Sequence, residues 1–75
     1  MATYRITYKS ADPYHEMNGD CGTVDSGAAF IALWPDVEPE AGDTHDTARL
    51  VDELEIGYSV AFYEECATID VERIA

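Results

Sequence analysis

The chain has 75 residues, 47% of them hydrophobic, and sets 16 carboxylates against four Lys and Arg side chains, for a net charge of −12. That length suits one small domain on a single apolar core, and the apolar fraction, with five Tyr, two Phe and one Trp, excludes a disordered acidic tail. The charge repels nucleic acid and anionic membrane surfaces, which argues against direct binding to either and favours a basic partner or a solvent that demands a charged surface.

"TYRITYK" alternates strictly, with Tyr4, Ile6 and Tyr8 on one face and Thr3, Arg5, Thr7 and Lys9 on the other. It predicts a half-buried strand. "SADPY" breaks that strand through Asp12 and Pro13. In "YHEMNGDCGTV" a short, irregular second strand is expected around His15 to Met17, with Asn18-Gly19 and Gly22 as turns. "DSGAAFIALWP" predicts a helix capped by Asp25 or Ser26 and ended by Pro35. Its run of Phe30, Ile31, Leu33 and Trp34 is nearly all apolar, so that helix is expected to be largely buried.

"DVEPEAGD" reads as a loop. "THDTARLVDELE" predicts a second helix, capped by Asp43 or Thr44, with Asp46 near the first-turn amides. Thr47, Leu50, Val51 and Leu54 form its inward stripe; His45, Asp46, Arg49, Asp52 and Glu53 face out, and Gly57 stops it. "YSVAFYEECATIDVERIA" reads as two strands around a turn near Glu64-Glu65, with Ile69 and Val71 inward and Thr68, Asp70 and Glu72 outward. The order β–(β)–α–α–β–β implies an α+β domain: an antiparallel sheet of three to four strands with two helices packed on one side. If the first and last strands are neighbours, Arg5 and Lys9 oppose Asp70 and Glu72 across the outer face.

Chemistry is scarce. Catalytic carboxylates need a pocket that shifts their pKa and holds a substrate, and a domain of this size has little room for one. No Ser-His-Asp pattern, Gly-rich phosphate loop or HExxH is present, so the expectation is a protein that is not an enzyme and uses no cofactor. "DVEPEAGDTHDT" places acids at loop positions one, three and five as a calcium-binding EF-hand does, but Ala41 stands at position six and Thr47 at position twelve. Zinc would need His15, Cys21, His45 and Cys66 to converge from scattered positions. Cys21 and Cys66 are expected as thiols, because no signal-peptide core precedes them and the chain reads as cytoplasmic. No stretch is long and apolar enough to span a membrane.

What stands out is the segment from Asp36 to Glu55. It holds Asp36, Glu38, Glu40, Asp43, Asp46, Asp52, Glu53 and Glu55 against Arg49 alone, and so −7 of the total −12. Glu64 and Glu65 add to the field. Duplex DNA carries about one charge per 1.7 Å, so a globule spanning about 30 Å faces on the order of 17 phosphate charges. The net charge is within a factor of two of that.

With its "MATYRITYKS" opening strand, the acidic "DVEPEAGDTHDTARLVDELE" and no catalytic motif, the chain resembles the small, acidic, phage-encoded anti-CRISPR proteins, among them inhibitors of type I systems. The resemblance implies a stoichiometric inhibitor, acting in the cytoplasm of an infected bacterium, that occupies a Lys- and Arg-lined DNA site on a CRISPR surveillance complex. The ten carboxylates just named would be its contact residues. Two other readings fit the composition: a protein-binding accessory module using Tyr14, Tyr58 or Tyr63, and the domain of a halophile whose acidity is solvent adaptation.

Overall fold

A computed structural model describes residues 1–39 and 47–75. The fold is α+β. Its strands are β1 (Tyr4–Ser10), β2 (Gly19–Val24), β3 (Glu38–Pro39), β4 (Ser59–Glu64) and β5 (Ala67–Arg73), and its helices α1 (Gly27–Leu33) and α2 (Thr47–Asp52). The strands form one antiparallel sheet in the order β2-β1-β5-β4-β3. Its five strands exceed the three to four expected from sequence. The radius of gyration, 11.5 Å, matches the value of about 11 Å for a compact chain of this length.

β1 and β5 are neighbours, as the outer-face argument required. Ile6 faces Val71 and Tyr8 faces Ile69, and all four are buried. β4 continues these rows with Val60 and Phe62. Period-2 alternation therefore puts one apolar row from each strand onto the same side, where the helices cover it. Phe30 of α1 meets Phe62 with ring centroids 5.1 Å apart, and Trp34 stacks on Tyr8 at 5.6 Å. Val51 of α2 completes the core.

β2 departs from expectation. It begins at Gly19, and residues 15–17, where a strand was expected, form a turn instead. Only Val24 of β2 is buried, so the strand lacks the apolar alternation that would reveal it. A bulge between Arg5 and Thr7 shifts its register, and Asp20 Oδ1 accepts the Gly22 N–H at 2.7 Å. This local bond ties up backbone that an edge strand would otherwise offer to another chain. β3 falls within the expected loop, and its Pro39 is tolerated because an edge position needs no N–H there.

The helices also differ in detail. Ser26 caps α1, its Oγ accepting the Ala29 N–H at 3.1 Å. Yet α1 is not largely buried: Gly27 and Phe30 are, while Leu33 is 63% exposed. Seven residues make two turns, and a 3.6-residue period turns one stripe inward whatever the rest of the helix is made of. On α2, Thr47 and Val51 are buried and Leu50 lies at the surface. The expected cap, Asp43 or Thr44, lies outside the described residues, as do His45 and Asp46. The final hairpin turns at Glu65-Cys66, one residue later than expected, because Glu64 pairs with Ala67.

Candidate acidic interface

Strand register divides the molecule into two ends. At the terminal end, Tyr4 faces Arg73, and Thr3 exchanges backbone hydrogen bonds with Ile74 and Ala75 at 2.9–3.3 Å. At the hairpin end, Ser10 faces Ala67, and the Ala11 N–H donates to Cys66 O at 3.0 Å. α1 runs from the first to the second. It starts just after Val24, which pairs with Tyr4, and ends at Trp34 against Tyr8.

The ten predicted contact residues do not form one cluster. Asp36 and Glu38 lie at the hairpin end, carried there by the exit of α1 and by the pairing of Glu38 with Tyr63. Glu64 and Glu65 join them on the β4–β5 hairpin. Asp52, Glu53 and Glu55 sit at the terminal end, where Tyr58 N–H donates to Glu55 O and Gly57 N–H to Arg73 O. Glu40, Asp43 and Asp46 lie outside the described residues.

Two of the terminal-end carboxylates have internal tasks. Asp52 Oδ1 accepts the Gly27 N–H at 2.7 Å, fastening α2 to the first turn of α1. Glu53 accepts Arg49 Nε at 2.8 Å, an i,i+4 pair on one helix. Arg73 adds positive charge at this end, donating to Leu54 O at 2.9 Å and to Ala75 O at 3.1 Å. On the outer face, Arg5 faces Glu72 across the strands, while its ion pair is with Asp20 at 3.9 Å.

At the hairpin end the balance differs. The carboxylates of Asp36, Glu38, Glu64 and Glu65 make no hydrogen bond or ion pair to another described residue. The loop between β1 and β2 brings two further acids, Asp12 and Glu16, that the sequence reading did not single out. Their signal was present: if β1 pairs with β5, the turn after β1 and the tip of the last hairpin must share one end. Lys9 is the one cation here among the described residues, opposite Thr68.

That loop is held closely. Asp12 Oδ1 accepts the Tyr14 N–H at 2.9 Å, Asn18 Oδ1 accepts the Ser10 N–H at 2.7 Å, and Asn18 Nδ2 returns a bond to Asp12 O at 3.0 Å. The Met17 N–H donates to His15 Nδ1 at 3.1 Å, and the His15 ring lies 5.3 Å from Tyr8. The acids are thus presented on fixed backbone.

Among the described residues no group of three His, Cys, Asp or Glu side chains could hold a metal ion. Cys21 and Cys66 are free thiols, Cys66 exposed at the hairpin tip. No described helix is long and apolar enough to cross a membrane. Comparisons with protein-family models, curated proteins and solved structures give no match, so the geometry alone must carry the functional reading.

Proposed function

We propose that the protein is a stoichiometric inhibitor of a host nucleic-acid-binding defence complex, of the anti-CRISPR kind, and that it occupies a basic DNA site with the hairpin end of its sheet. One observation supports this reading: among the described residues the carboxylates of Asp36, Glu38, Glu64 and Glu65 share that end without a side-chain partner, whereas a backbone amide engages Asp52 and an arginine engages Glu53 at the other end. Unpaired charge on ordered backbone is suited to fast, salt-sensitive association with Lys and Arg side chains. The longest dimension is 34 Å, a length over which duplex DNA presents on the order of 20 phosphate charges. The net −12 is comparable in scale.

The test is a gel shift on purified surveillance complexes, type I complexes included, with the protein added before or after the target DNA. Loss of DNA binding only when the protein comes first supports occupation of the DNA site. Absence of any effect, together with absence of direct association, would sink the proposal.

A second reading has its own observation. Acids also appear away from the hairpin end, at Asp25, Asp70 and Glu72, and Lys9 is the one lysine. Such spread suits a protein adapted to high salt, and unfolding when salt is removed would favour that reading.

A further inference from the structure

The hairpin end also displays apolar side chains that the core does not use. Tyr14 is 92% exposed, Leu33 63% and Met17 43%. Tyr8 brings them together. The His15 and Trp34 rings both lie against it, at 5.3 and 5.6 Å, so Tyr14 and Met17, which flank His15 in the loop, and Leu33, which precedes Trp34, are carried to the same end. The β1–β2 loop also borders a shallow hollow of about 580 Å³ lined in part by Tyr8, Lys9, Ala11 and Pro13. Acids at the same end come from the same loop, from the exit of α1 and from the β4–β5 hairpin.

Apolar anchors inside a charged rim are the anatomy of a protein-binding surface: the rim sets rate and orientation, and the anchors set residence time. A purely phosphate-like surface would need no Tyr or Leu. The hydrogen-bonded loop matters as well, because side chains on pre-ordered backbone lose less entropy on binding.

We infer that the hairpin end binds a basic protein segment with apolar side chains interleaved among its Lys and Arg residues, and that Tyr14, Met17 and Leu33 are its apolar anchors. This rests on the acidic-surface reading and adds the partner's chemistry. The partner's charges answer Glu16, Asp36, Glu64 and Glu65, and its apolar groups answer the anchors.

Two synthetic peptides of equal length and equal positive charge test it by calorimetry. One interleaves Leu and Trp with Lys and Arg at helical spacing; the other carries Ser in their place. The parent protein should bind the Leu/Trp peptide at least about tenfold more tightly. The Y14A/L33S variant should lose most of that preference while still binding both, and E64K/E65K should weaken both peptides alike. Circular dichroism of each variant checks that the fold is intact. Equal affinity of the parent for the two peptides overturns the anchors and leaves the charge-based reading standing, as does a preference that survives Y14A/L33S. Binding of neither peptide overturns both.

Discussion

The two ends of the sheet are built from similar residues and treat their charge in opposite ways. At the terminal end, Asp52 holds Gly27, Glu53 holds Arg49, and Arg73 ties the end of β5 to Leu54. There the carboxylates of Asp52 and Glu53 serve the fold. At the hairpin end, the carboxylates of Asp36, Glu38, Glu64 and Glu65 have no such tasks among the described residues, and Tyr14 and Leu33 are exposed at the same end. On the proposed reading, stability and recognition fall to different ends.

The largest expected effect is on binding. Glu64→Lys with Glu65→Lys and Glu53→Lys with Glu55→Lys change the net charge equally, so comparing them isolates location. The hairpin-end pair should slow association with the target complex by roughly 10- to 100-fold, and the terminal-end pair by no more than about threefold. Equal losses, read by stopped-flow mixing, would show that only total charge matters and dissolve the distinction.

Next comes Gly27→Ala. A Cβ there would lie 2.6 Å from the Ala48 carbonyl carbon, where α1 crosses α2. Backbone against backbone cannot yield cheaply, so a loss of about 2–3 kcal/mol is expected. For a domain of this size that lowers Tm by roughly 10–20 °C. The hairpin end should retain its affinity at temperatures where the variant stays folded.

Asp52→Ala, which strips the carboxylate from the Gly27 N–H, should cost about 1 kcal/mol in denaturant unfolding and leave binding unchanged. A binding defect without a stability defect would return Asp52 to the interface. Cys66→Gly works in the other direction at the hairpin end. Cys66 holds φ at +62°, a left-handed conformation that costs a side chain energy and glycine little. A gain of about 0.5–1 kcal/mol is expected, with the charges untouched. The smallest effect belongs to Glu53→Ala, at most about 0.5 kcal/mol, because its partner Arg49 is a solvent-screened helix-surface neighbour.

Much of this was legible from residue order. Strict alternation in "TYRITYK" and "ATIDVER" specifies which side chains face the core, since a strand's two faces follow parity and need no partner to define them. Ser26 and Pro35 bracket α1 because capping and the proline clash are local events. The excess of carboxylates follows from composition.

Tertiary structure decided the rest. β2 is a strand because β1 offers it an edge, not because "GDCGTV" favours one. Leu33 and Leu50 are exposed because packing turns other stripes of their helices toward the sheet. Above all, the acidic run from Asp36 to Glu55 is continuous in sequence and divided in space. β3 holds its start beside Tyr63, and the α1–α2 crossing carries its end to the opposite pole. Electrostatics acts through distance, and distance between residues that are far apart along the chain exists only once the sheet has been assembled.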